Sequence, residues 1–283
     1  MAEKRKRRGS VTALIVVVAI VAVLGLGAAA VASFLRPRGG VTGFGQASIK
    51  DPVAAKTAGD ELLASRETTV LVVVAHPDDL EFYGGGTAIS LAKSNKVILL
   101  MGTSGDKGAG GWPGVAPVRE KLMLETAKIA GYSDVIFLRH PDQGLGQATS
   151  YPGEVKAAFE QYRPTIVLSF DTTDEAQGYR HVDHEAAGRA AAAVAKELGG
   201  VTLYLFSSSA PDVIVDYSPV AATKAKAFAT VGDYRTVNPL YAWFVAPVLK
   251  LRSGTPGPTY GMRASFPVVG VSYGEVFRKV VER

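Results

Sequence analysis

A repeated alternation constrains this chain more than any other feature: a short apolar run, then a stretch of helical spacing. It begins at "TVLVVVA", residues 69–75. A run with no polar face is the pattern of a strand buried on both sides, as in a parallel sheet covered by helices. Residues 84–94 then suit a helix, "KVILLMGT" (96–103) a second strand, and "SGDKGAGGWPGVAP" (104–117) a Gly/Pro-rich loop. "VREKLMLETAKIAG" (118–131) has helical spacing and a glycine stop. "DVIFL" (134–138), "TIVLSF" (165–170) and "VTLYLFS" (201–207) give three more strands, with helices over 153–162 and 183–198. The latter has acids in its first turn and Lys196 late, matching its dipole. The expectation is an α/β fold: a mostly parallel, Rossmann-like open sheet with helices on both faces. Beyond about residue 208 the pattern weakens, with strands expected near 213–216 and 267–272.

The net charge of +5 comes from the N-terminus. Seven of the 31 Lys/Arg residues, but one of the 26 Asp/Glu residues, lie in residues 1–38. The rest is nearly neutral, so the charge is no argument for nucleic acid. Gly9 to Leu35 holds no charge. Its apolar core of about 25 residues would reach roughly 37 Å as a helix, enough to span a bilayer. "KRKRR" precedes it and "RPR" follows. The positive-inside bias predicts a cytoplasmic tail (1–10), a transmembrane anchor (11–35), a linker with room for a short helix (36–66) and an extracytoplasmic α/β domain (67–283). A cleaved signal peptide is the rival reading, because "AAAVAS" (28–33) offers small residues near a cut, and the protein would then be secreted. The run is longer than the usual apolar region of such peptides, which favours the anchor. No cysteine is present, which excludes disulfides, thiolate metal sites and cysteine nucleophiles.

The chain has four histidines, and His76, His181 and His184 sit at strand ends beside carboxylates. Open α/β sheets place their sites there. His76 and Asp79 are three apart, as are His181 and His184, so one helical turn points each pair the same way. Imidazole nitrogen and carboxylate oxygen suit zinc, whose catalytic sites keep three protein ligands and one open position. Ferrous iron would fit the same set. Asp78, read by itself, suits the cap of the next helix. Asp183 either holds charge on His181 or caps a helix. His140 reads as loop structure, and Arg119 as a solvated helix charge or a residue at the mouth. Gly84–Gly86 suit close backbone packing; a phosphate cradle is the alternative.

"AHPDDLEFYGGGT" together with "YRHVDHEAAG" resembles the PIG-L/LmbE-like zinc-dependent de-N-acetylases, which remove acetyl groups from N-acetylglucosamine units. "TSGDKG" (103–108), "HPDQGL" (140–145) and "GVSYGEVFR" (270–278) extend the resemblance over roughly 68–283. It implies His76, Asp79 and His184 as metal ligands and Asp78 as general base. It implies His181 as oxyanion stabiliser or general acid, supported by Asp183 and Tyr179, with Asp142 and Arg119 meeting the sugar. The implied partner is an N-acetylglucosamine-containing glycan or glycolipid, and Trp112 would suit a sugar face. Rivals are a non-catalytic sugar- or sugar-phosphate-binding module and a zinc hydrolase of another amide. One departure is plain: where many members carry a His-x-Ser-Gln-like segment, this chain reads "AFATVGDYRT" (227–236).

Overall fold

The computed structural model describes residues 49–108, 113–172, 181–208, 210–232 and 264–283. The span expected at 11–35, Trp112 and Tyr179 lie outside them. Among the described residues no helix is long and apolar enough to cross a membrane.

The five apolar runs become five parallel strands: β1 (Thr69–Val74), β2 (Lys96–Thr103), β3 (Asp134–His140), β4 (Ile166–Phe170) and β5 (Val201–Phe206). Their spatial order is β3-β2-β1-β4-β5. Val70 to Val74 are wholly buried, as a strand covered on both faces requires. Three more strands, β6 (Val213–Asp216), β7 (Ala264–Phe266) and β8 (Val271–Glu282), complete the sheet. β8 lies antiparallel to β5, and β6 and β7 pair with β8.

Seven described helices accompany the strands: α1 (Pro52–Leu63), α2 (Asp79–Tyr83), α3 (Gly85–Ala92), α4 (Val115–Ala130), α5 (Tyr151–Tyr162), α6 (Val182–Leu198) and α7 (Ala221–Val231). From β1 the chain steps outward to β2 and β3, then returns to β4 on the other side of β1. Right-handed crossovers moving in opposite directions put their helices on opposite faces. α4 and α7 accordingly pack together, while α5 and α6 form a second pair. The switch point lies between β1 and β4.

Several local expectations are refined. The helix expected over 84–94 is α3, and a separate short helix, α2, precedes it; the two meet at Gly84, whose ψ of 15° at φ −147° interrupts the helical path. α4 starts at Val115, so the expected loop over 104–117 ends sooner. Pro117 falls in the first turn, where its missing N–H has no partner to lose. In the stretch expected to hold a linker and a short helix, Asp51 caps α1 by accepting from the N–H groups of Val53 and Ala54. α1 packs on β6, with Ala55 and Ile214 in one apolar cluster. The strand expected at 267–272 is displaced: Pro267–Val269 is a 3-10 turn and β8 runs on to Glu282.

Candidate metal centre

His76 stands two residues beyond β1, and Asp79 opens α2. Asp79 Oδ2 accepts from the N–H groups of Ala75 (3.0 Å) and His76 (2.8 Å), which locks the turn between strand and helix. The same oxygen is 3.4 Å from His76 Nδ1. Asp79 Oδ1 is 3.0 Å from His184 Nε2. His184 lies in the first turn of α6, reached from β4. Its ring lies flat on Phe170, the last residue of β4, with centroids 4.0 Å apart and planes 10° from parallel. His181 caps α6, its Nδ1 accepting the Asp183 N–H at 3.2 Å. Ring centroids separate His76 from His181 by 4.7 Å and from His184 by 5.2 Å. Two strand ends adjacent in the sheet thus bring His76, Asp79 and His184 together. His76, His181 and His184 each present one nitrogen within 4.8 Å of the others, and so do His76, Asp142, His181 and Asp183 with one ligand atom apiece.

The alternatives left open by the sequence separate here. Asp78 makes no capping bond to α2; its Oδ1 accepts from Arg119 Nη2 at 2.6 Å. Arg119 is not a solvated helix charge: it is 5% exposed. Asp183 does not cap α6, a place that His181 takes, while its charge acts to raise the His181 imidazole. The Asp183 oxygens accept from the N–H groups of Gln143 (2.5 Å) and Leu145 (3.0 Å), and one lies 3.5 Å from His76 Nε2. Asp183 therefore pins the loop after β3 to the centre. Asp142, expected at the sugar, puts Oδ1 3.2 Å from His76 Nε2 and accepts the Lys107 N–H with Oδ2. His140 pairs with Glu154 and stays outside the cluster.

The glycines pack closely. A Cβ on Gly86 would lie 2.3 Å from Tyr217 Cγ. The N–H groups of Gly86 and Thr87 already donate to the Glu275 carboxylate, which fills the place a phosphate would need. Sequence reasoning missed Glu275 and Phe170. For Phe170 the available signal was an aromatic residue closing a strand that leads to histidines.

Burial opposes charge on His76, but Asp79 foremost, then Asp142 and Asp183, hold its imidazolium up to about 12. Burial likewise opposes ionisation of Asp79, yet His184 and His76 keep that carboxyl well below its usual range. Burial pulls Asp142 upward, and His76 and the Lys107 N–H bring it down to about 2. Burial, then His76 and His184, lowers His181. Three carboxylates crowded about one buried imidazole call for positive charge. A divalent cation meets that demand, and imidazole with carboxylate donors suits zinc or ferrous iron. The residues present fit such an ion, with His76, Asp79 and His184 as the candidate ligands.

An open sheet with imidazoles and carboxylates gathered at its switch point defines an α/β protein with a candidate metal centre at its strand ends. Residues 71–195, which include both histidine motifs, match the family model described as "PIG-L: GlcNAc-PI de-N-acetylase". Over that stretch the chain is similar to the PIG-L family. It is 31% identical over 140 residues to a probable N-acetyl-alpha-D-glucosaminyl L-malate deacetylase 2 of Bacillus anthracis, covering 44% of this chain and 58% of the relative. The chain thus spans under two thirds of that relative's length. Among solved structures it resembles an N,N'-diacetylchitobiose deacetylase from Pyrococcus horikoshii, with TM-score 0.58, 23% identity and coverage of 79% of this chain and 90% of the other. It also resembles a 4-carboxy-2-hydroxymuconate hydratase from Pseudomonas putida, with TM-score 0.56, 19% identity and coverage of 76% and 97%. At these identities the likeness shows the fold, and one fold hosts different reactions.

Proposed function

We propose that this chain is a zinc-dependent hydrolase that removes the acetyl group from an N-acetylglucosamine-containing glycoconjugate. One observation carries the reading: His76, Asp79 and His184 converge, and Asp78 stands beside them held by Arg119 rather than capping a helix. The family match and the deacetylase relative support the reaction class.

Zinc, when bound, polarises a carbonyl and makes a bound water acidic enough to lose a proton at neutral pH. Asp78 would take a proton from the attacking water, whose oxygen bonds the acetyl carbon, and hand it to the amine as the C–N bond breaks, leaving acetate and a free amino sugar. Arg119 keeps one Asp78 oxygen in place while the carboxylate stays in reach of solvent, at 25% side-chain exposure. His181 uses Nδ1 as an acceptor, so its neutral ring carries the proton on Nε2. That N–H donates to the acetamide oxygen as negative charge grows on it. Tyr179, two residues earlier in sequence, is a second donor in this reading. Asp142 and Arg119 border the sugar, and Trp112 offers it an aromatic face. The uncharged run at 11–35 after a basic tail favours a membrane-tethered enzyme with this domain outside the cytoplasm. A lipid-linked or envelope glycan is then the substrate class.

The test is acetate release from N-acetylglucosamine conjugates by the full chain, with and without chelator. Release that stops with chelator and in Asp78→Ala is the expected result. Chelator-insensitive release, or full activity in Asp78→Ala, would overturn the proposal.

A further inference from the structure

We propose that β8 braces both halves of the metal centre, with Glu275 as a positioning residue that acts through the N-terminus of α3. The inference rests on the metal reading above. Asp79 belongs to α2, and α2 joins α3 at Gly84. That joint is seated on β8. A Cβ on Gly84 would lie 3.4 Å from the Phe277 ring. Glu275 Oε1 accepts the Gly86 N–H at 2.9 Å, and Oε2 accepts the Thr87 N–H at 2.7 Å and its hydroxyl at 2.6 Å. Gly84, at the N-cap of α3, has no side chain to offer these groups. Their acceptor comes instead from 189 positions away. Glu275 is 0% exposed and forms an ion pair with Lys224, which is itself buried and stands 4.5 Å from the centre of the Tyr217 ring.

Three residues further along β8, Arg278 holds Asp171 with two bonds of 2.7 and 2.9 Å. Asp171 directly follows Phe170, the ring beneath His184. A strand that pairs with neither β1 nor β4 therefore ties down the Asp79 side and the His184 side at once. Charge-assisted bonds of this kind are short and directional. Ligand geometry left without such support binds metal more weakly, by about tenfold or more when outer partners are removed.

The experiment measures zinc affinity of the full chain by chelator competition, beside its unfolding midpoint without metal. Glu275→Gln keeps the shape, removes the charge, and is expected to weaken zinc binding about tenfold. Adding Lys224→Met removes the unpaired buried cation, so the double variant regains midpoint while zinc binding stays weak. Thr87→Val is the milder variant should Glu275→Gln fail to fold; it loses one bond to Glu275 and is expected to weaken binding about threefold, a smaller share of the same effect. Unchanged zinc affinity in Glu275→Gln, or in Thr87→Val if that variant alone folds, would overturn the brace. A wild-type chain that takes up no zinc would overturn the metal reading and the brace with it.

Discussion

Arg119 Nη2 lies 2.6 Å from Asp78 Oδ1, yet water reaches the two side chains unequally, at 6% and 25% exposure. Arg119→Met leaves behind a carboxylate that solvent can rehydrate. Asp78→Ala takes a carboxylate partner from a buried guanidinium. The first should cost about 1–2 kcal/mol and the second about 3 kcal/mol or more. Urea unfolding of both variants in chelator measures the difference, and equal losses would contradict the asymmetry.

Metal removal should destabilise the fold. On the proposed reading, zinc would bind the assembled His76, Asp79 and His184 and not the scattered residues of an unfolded chain. At a hundredfold excess over its dissociation constant, a ligand adds about 2.7 kcal/mol. Calorimetry should show the unfolding temperature falling on chelation and returning with zinc. His184→Ala should show no zinc-dependent shift.

Two glycine replacements should act in opposite directions. Gly86→Ala places a methyl group 2.3 Å from Tyr217 Cγ, and overpacking of this kind costs roughly 1–3 kcal/mol. A Cβ on Gly153, in the first turn of α5, meets nothing within 4 Å. Gly153→Ala should be neutral or stabilising by up to about 1 kcal/mol. Thermal melts decide both.

Alkaline stability should depend on Lys224. Burial works against its charge, and the Glu275 carboxylate raises its pKa above the ordinary value of 10.5. A raised folded value means that the contribution is complete below 10.5 and is lost as pH climbs through the folded value. The stability gap between wild type and Lys224→Met/Glu275→Gln should be flat from pH 8 to about 10 and fall above that. A gap that widens with alkalinity would show the sign to be wrong.

β1, β2, β4 and β5 were legible because burial on both faces makes nearly every position apolar, and β3, a half-buried edge strand, by its short run Val135–Leu138. His76, Asp79, His181 and His184 were legible because short spacings place them at strand ends. β8 was obscured by its own function. Glu275 and Arg278 point polar groups inward and break the apolar pattern that marks a buried strand. The role of Arg119 was hidden as well, since its partner lies 41 positions away on another element. Asp183 looked like a helix cap or a clasp for His181, and only the fold shows the loop after β3 receiving both its oxygens.

The switch point has one more consequence. Since crossovers depart from β1 and β4 toward opposite faces, no helix among the described residues roofs the gap where the ion would sit. On the proposed reading, an acylated substrate arriving there would meet connecting segments, the parts of a chain most tolerant of change. New substrates could then be adopted by rewriting the lip of the crevice, while the residues proposed to hold the ion stay rooted at the strand ends.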